Sequence, residues 1–363
     1  MPRGKDLLSD DVRSWEGRGS MLLLNPRTPS GRRAEILAAD FPDLPDHIWL
    51  ATSGTGGTLK IVALSRTALE ANARAVNAHL GALSGDVWIN PLPLFHVGGL
   101  GIVVRSALSG AKWQQFGPWD PEEFVRSASS RHATLSSLVP AQVHDLVQRQ
   151  QRAPASLRAV VVGGGALDES LRAKAASLGW PVLPSYGLTE AASQVATADP
   201  GTADFEWLPL LPHVQARVSE GGLLELRGPS LLTGWMVFDD CGATRWKDPK
   251  NEGWFRTSDR VDLRGRQLKM LGRADDLLKI RGELVDISAL ERALQARVAG
   301  GAVCVQADPD ERNGFTLRLV AENAVAVGQA RAATDIFPPF ACPVSVQIGE
   351  IPRTASGKIL RVR

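Results

Sequence analysis

The stretch Ala51-Thr-Ser-Gly-Thr-Gly-Gly-Thr-Leu-Lys60 is a glycine loop rich in hydroxyls and closed by a lysine. Glycine admits left-handed turns and close approach, so the backbone N–H groups of such a loop stand open to an anion. The lysine adds a point charge. A polyphosphate would find donors at Gly54, Gly56 and Gly57, hydroxyls at Ser53 and Thr55, and a cation at Lys60. An ordinary flexible turn fits the same residues, and the spacing is not that of a P-loop, whose Gly-Lys pair follows a first glycine after four residues. The apolar run 47–52 predicts a strand that feeds the loop.

Outward from the loop, strand and helix signals alternate. Thr67-Ala-Leu-Glu70 has the form of a capping box and predicts a helix to about Leu83. Strands are expected at 86–92, 111–116 and 133–139, and helices near 100–108, from Asp120-Pro-Glu-Glu123, and at 141–150. Ala159-Val-Val-Val162 reads as a buried strand ending in Gly163-Gly164-Gly165, and Asp168 caps the helix after it. The alternation predicts a large α/β N-terminal domain, residues 1–272, with layered, largely parallel sheets. Short β runs with Gly, Pro and Trp predict a small β-rich subdomain over about 205–272. From 273 a strand pair at 277–285, a helix capped by Ser288-Ala-Leu-Glu291 and further strands predict a small mobile α+β C-terminal domain, 273–363.

The chain has 363 residues and a formal net charge of +2, which gives no reason to expect a nucleic-acid partner. Cys241, Cys304 and Cys342 lie far apart without CxxC spacing, which argues against a zinc site and fits a reducing compartment. No apolar run is long enough to span a bilayer and the first residues lack a signal-peptide core, so a cytoplasmic protein without membrane insertion is expected.

Four more segments carry chemistry. Ser185-Tyr186-Gly187-Leu-Thr189-Glu190 contains the chain's one tyrosine, an aromatic face for a purine, and a carboxylate able to hold Mg²⁺. In Gly253-Trp-Phe-Arg-Thr-Ser-Asp259 a carboxylate at a strand end suits two ribose hydroxyls, although a turn aspartate is the commoner reading. Gly272-Arg273-Ala-Asp275-Asp276-Leu-Leu-Lys279-Ile-Arg281-Gly282 reads as a solvated linker or as a hinge at 273–276 turning about Asp275, with Arg273 reaching a phosphate or ribose. Pro352-Arg-Thr-Ala-Ser-Gly-Lys358 ends in a lysine after a Ser-Gly turn, a mobile cation or a frayed basic tail.

In this order the segments resemble the adenylate-forming superfamily of acyl-CoA synthetases, luciferases and adenylation domains. Within it, Pro91-Leu-Pro-Leu-Phe-His96 and Tyr186-Gly-Leu-Thr-Glu-Ala-Ala-Ser193-Gln194 are similar to segments of the o-succinylbenzoate–CoA ligases of menaquinone synthesis. The resemblance implies MgATP attack by a carboxylate, then transfer of the acyl group from the adenylate to coenzyme A. It implies phosphate binding by Ser53, Gly54, Thr55, Gly56, Gly57 and Lys60, and adenine contact by Gly163, Gly164, Gly165, Ser185, Tyr186 and Gly187. It further implies a ribose anchor at Asp259, Mg²⁺ at Glu190 and catalytic roles for Lys358, Thr189, Glu190 and His96. Arg273, Lys279 and Gly282 would serve the nucleotide and coenzyme A. Arg105, with Ser193, is the expected partner of a second substrate carboxylate.

The sequence departs from the family at Gly56 and Leu59, where a threonine and a proline are usual, so one hydroxyl donor to phosphate is lost. Relatives carry a longer region before the loop. Part of the acyl-pocket wall is therefore expected to be absent, or supplied by a second subunit of a homodimer. On sequence alone, another aryl or acyl acid, another acceptor, or a non-catalytic nucleotide-binding homologue stay open.

Overall fold

A computed structural model describes residues 19–53, 59–202, 205–238 and 244–351. A six-stranded sheet runs in the order Lys112–Gln115, Val87–Asn90, Leu135–Leu138, Ala159–Val162, Val182–Leu188, Ser193–Thr197. All its neighbours pair in parallel except the last, which is antiparallel. The two central strands, Leu135–Leu138 and Ala159–Val162, are buried along their whole length, as helices covering both faces of a sheet require, while the edge strand Lys112–Gln115 alternates exposed and half-buried residues. Their carboxyl ends converge near Leu138, Val162 and Pro184, the edge where α/β sheets bind ligands.

A five-stranded sheet carries the strand that enters the glycine loop. His47–Ser53 pairs antiparallel with Leu59–Ser65, which pairs in turn with Gly234–Phe238. The loop residues Gly54, Thr55, Gly56 and Gly57 lie outside the described residues, and of Ser53 only the strand position is described. The strands Gly234–Phe238 and Thr244–Lys247 thus join this sheet and not the five-stranded sheet formed by Leu208–Pro209, Gln215–Val218, Leu223–Arg227, Phe255–Arg264 and Gln267–Arg273. Long-range pairing of this kind has no local sequence signal. The β texture after residue 205 therefore divides between two sheets.

Two helix starts differ from expectation. The helix Arg66–Leu80 is capped by Ser65, whose Oγ accepts from the Ala68 N–H at 3.1 Å, so Thr67 lies inside the first turn. The helix Ile287–Gln295 is capped by Asp286, which accepts from the Ala289 N–H at 2.9 Å. Ser288 instead hydrogen-bonds buried Asp276. In both cases the residue just outside the helix reaches the third amide, where a capping oxygen works. Asp120 and Asp168 cap their helices as expected.

From Leu278 to Ala341 a separate cluster of Ile280, Ile287, Leu294, Val303, Leu317, Leu319 and Phe337 forms its own core. It packs two helices, Ile287–Gln295 and Ala324–Ala332, against the strands Val303–Asp310, Gly314–Ala321 and Ser345–Ile348.

Candidate active site

Tyr186 leaves the carboxyl end of the parallel sheet on the strand Val182–Leu188. The next residue must be glycine, because a Cβ at Gly187 would stand 2.2 Å from the Ser193 carbonyl oxygen. That close approach is made by a tight reversal through the turn Thr189–Ala191, with Ala192 at φ 56° and Ser193 at φ 120°. Non-glycine residues in this region store strain, and such strain collects at functional sites. Buried Asn72, on the helix Arg66–Leu80, steadies the reversal: its Nδ2 donates to the carbonyls of Ala191 at 3.2 Å and Gln194 at 2.8 Å.

The half-buried Tyr186 donates its hydroxyl to Asp259 Oδ2 at 2.6 Å. Asp259 faces Arg273 across paired strands, and Arg273 donates to Asp259 Oδ1 at 3.0 Å and to Asp275 Oδ2 at 2.8 Å. Burial, then the Asp259 carboxylate, lifts the Tyr186 phenol well above its ordinary range. Burial alone would pull Arg273 down, but the facing carboxylates of Asp259 and Asp275 outweigh it and hold the guanidinium above its ordinary value. Asp275, the expected hinge, sits in the turn Ala274–Asp276 directly after this ion pair.

Burial also raises the Glu190 carboxyl, with the Lys60 and Arg273 charges opposing and Asp259 adding to the rise. Lys60, Glu190, Asp259 and Arg273 therefore share one electrostatic neighbourhood. Lys60 Nζ lies 4.3 Å from the centroid of the Trp235 ring, contributed by the partner strand. Among the described residues no group of three or more His, Cys, Asp and Glu could hold a metal. A lone buried carboxylate fits Mg²⁺, which keeps waters and phosphate oxygens in its shell.

A second cluster lies along the helix Val97–Ser109. His96 precedes its first residue, and the imidazole Nε2 is buried without a partner among the described residues. Burial lowers its pKa, so the ring is neutral at neutral pH. Arg105, on the same helix, is 1% exposed and pulled down to about 10 by burial. Its Nη2 donates to Ser193 Oγ at 3.3 Å. With the Gln194 amide turned to satisfy both neighbours, the Gln194 oxygen accepts from Nη1 at 3.3 Å and Nη2 at 3.1 Å. Among the described residues no carboxylate pairs with Arg105, and its Nε has no acceptor.

Gly163, Gly164 and Gly165 follow the strand Ala159–Val162, and a Cβ at Gly163 would lie 3.5 Å from the Ser185 carbonyl, so the two strand ends are adjacent. Lys279 and Gly282 sit elsewhere, on the paired strands Leu277–Ile280 and Glu283–Asp286 and the turn between them. With Arg281, Arg312 and Phe315 they line a separate cleft of about 720 Å³. Lys358 and the rest of its motif lie outside the described residues. Asn72, His213 and Trp235 carry no motif that marks them in the sequence. A buried asparagine between Leu69 and Val76 was the one local signal, since a polar residue on an apolar helix face needs partners.

The parallel sheet, the glycine-loop strand and the Tyr186–Asp259–Arg273 cluster define a nucleotide-handling enzyme: the chain belongs to the AMP-binding enzyme family, whose pattern matches residues 45–230. It is 28% identical over 331 residues to 2-succinylbenzoate–CoA ligase of Bacillus licheniformis, covering 85% of this chain and 68% of that protein. The enzyme of the same name from Enterococcus faecalis is 27% identical over 333 residues, covering 86% and 67%. Among solved structures, a single-substitution variant of E. coli MenE with bound OSB-AMS superposes with a TM-score of 0.74 at 26% identity, covering 91% of this chain and 79% of that one. The Bacillus subtilis enzyme in complex with ATP and magnesium shares the fold, with a TM-score of 0.76 at 23% identity over 94% and 78%. No helix among the described residues is long and apolar enough to cross a membrane.

Proposed function

We propose that the protein ligates coenzyme A to an aromatic dicarboxylic acid of the 2-succinylbenzoate type, through an acyl-adenylate made from MgATP. The relatives named above catalyse or bind in that class, and the chain aligns with more than two thirds of their length. One observation carries the choice of acid. Arg105 is a fully buried cation with a hydroxyl and an amide beside it and no carboxylate partner among the described residues. A buried charge without its counter-ion is unstable, and an incoming carboxylate supplies one. A second acidic group on the substrate meets that need.

In this reading Lys60 neutralises the outer phosphates, and Glu190 and Thr189 act at the α-phosphate. Magnesium, when bound, screens the phosphate charge during attack. Tyr186 covers the adenine beside Gly163–Gly165, and its hydroxyl holds one oxygen of Asp259 so that the carboxylate faces the ribose. Neutral His96 donates to the reacting carboxylate without adding charge. Lys358 would bridge that carboxylate and the α-phosphate. Rotation about Asp275 then brings Lys279 and Gly282 toward coenzyme A, the domains dividing near residue 272. Homodimerisation and a cytoplasmic site of action belong to the same reading, and light scattering tests the first.

The test is AMP and acyl-CoA formation from a panel of acids, with Lys358→Ala as control. The proposal requires 2-succinylbenzoate to outperform benzoate and malonate. AMP formation from monocarboxylic acids alone would overturn the substrate, and none from any acid would leave a nucleotide-binding module.

A further inference from the structure

Three glycines stand in the first half of the helix Val97–Ser109, where glycine is the poorest choice short of proline. Gly99 has a backbone reason: a Cβ there would sit 2.4 Å from the Pro93 carbonyl oxygen. Gly98 would meet only a leucine methyl at 3.2 Å. Gly101 is different. The three atoms nearest to where a Cβ would stand, apart from the helix's own backbone, belong to one side chain, Arg105: Nη2 at 2.9 Å, Cζ at 3.3 Å and Nε at 3.7 Å.

The geometry follows from the helix. Residues four apart share a face, and long helical side chains lean back toward the N-terminus. Arg105 therefore folds back onto position 101 and lays its planar head on the bare Cα. A flexible side chain would normally swing clear of an added methyl. This one is enclosed: it is 1% exposed, the Trp88 ring centroid lies 5.8 Å from Cζ, and Ser193 and Gln194 stand at its edge.

We propose that Gly101 is a specificity-determining positioning residue: its missing side chain is the seat that aims the Arg105 guanidinium edge at Ser193, and so selects acids bearing a second carboxylate. The proposal rests on the reading of Arg105 as the receiver of that carboxylate. A methyl at 101 shifts the fork away from Ser193 and leaves the nucleotide side, which is carried by other elements, undisturbed.

The experiment compares Gly101→Ala, Arg105→Lys and the double variant in steady-state adenylation of 2-succinylbenzoate and benzoate, with thermal melts of each. For Gly101→Ala the expected result is a tenfold or greater loss of kcat/KM on 2-succinylbenzoate, with KM for ATP and the rate on benzoate unmoved. Lysine has no planar fork to collide, so Arg105→Lys should lose less in the Gly101→Ala background than in the wild type. An equal loss on both acids would mean a general packing defect and would overturn the seat. So would unchanged kinetics with a raised Tm, the outcome of a free alanine in a helix. Should Gly101→Ala fail to fold, the double variant must fold if the fork is the obstacle; failure of both sinks the proposal. Unchanged acid preference in Arg105→Lys alone would instead refute the role of Arg105.

Discussion

Replacing Arg105 by methionine is expected to leave the stability of the free protein nearly unchanged while removing its preference for a dicarboxylic acid. Burial pulls the guanidinium down to about 10. At about 1.4 kcal/mol per pH unit, the charged form bears a penalty of about 3 kcal/mol in the native state. Methionine has a similar unbranched stem and carries no charge. Against that gain stand three hydrogen bonds, one to Ser193 and two to Gln194, worth about 1 kcal/mol each. The two nearly cancel, so a melting curve should move by no more than about 2 °C. With substrate the balance no longer cancels. A charge-assisted contact between guanidinium and carboxylate contributes about 3 kcal/mol, so kcat/KM for 2-succinylbenzoate should fall about a hundredfold, with little change for benzoate. Urea unfolding and a pyrophosphate-release assay measure the two effects independently. A variant that is several degrees less stable and keeps its acid preference would refute both halves of the reasoning, since Arg105 would then be a structural cation satisfied by its neighbours.

Three other perturbations reach the remaining site. Tyr186→Phe removes the donor held by Asp259 Oδ2 at 2.6 Å; a hydrogen bond to a charged group contributes about 1.5–3 kcal/mol, so KM for ATP should rise about tenfold with kcat on saturating ATP little changed, and an unaltered KM would disprove the coupling. Lys60 Nζ stacks on Trp235 at 4.3 Å, so ATP titration should change tryptophan emission in the wild type and not in Trp235→Phe, which ought still to bind ATP. The His213 imidazole is pulled from 6.5 to about 4, first by burial and then by the Arg266 charge. As pH falls the unfolded chain takes up this proton first, so stability present above pH 6.5 is lost on the way down to pH 4, by about 3 kcal/mol at most. His213→Gln should flatten the urea midpoint over that window relative to wild type; parallel pH curves would exclude His213 as the source.

Local signals carried most of the element order, because they are set by short-range chemistry. The apolar run before the glycine loop, the buried valines of 159–162 and the Asp120 and Asp168 caps all form where periodicity and capping place them. The helix starts at Ser65 and Asp286 slipped by a residue or two, since neighbouring hydroxyls and carboxylates compete for the same amides and only the folded backbone chooses. Strand partners were illegible for a different reason. Gly234–Phe238 pairs with Leu59–Ser65 from far along the chain, and nothing in either strand names the other.

The site divides along the same line. Tyr186, Glu190, Asp259, Arg273 and Arg105 were legible as residue types in recognisable order, and the structure brings the first four into one charged neighbourhood and sets Arg105 beside Ser193. What order along the chain does not carry is how the two halves are joined. The reversal at Ala191–Ser193 is the joint: one side presents Glu190 to the Lys60 and Arg273 charges, and the other presents Ser193 and Gln194 to Arg105. Asn72 grips it from a helix far earlier in the chain, with carbonyls on both sides as its acceptors. A strained backbone held by one buried amide is stiff, and stiffness here means that Glu190 and Arg105, the groups proposed to serve the nucleotide and the acid, keep a fixed separation. An enzyme that must align a carboxylate with a phosphorus atom gains most of its rate from such alignment. With Glu190 and Arg105 in their proposed roles, the strain at Ala192 and Ser193 serves the chemistry on its two flanks.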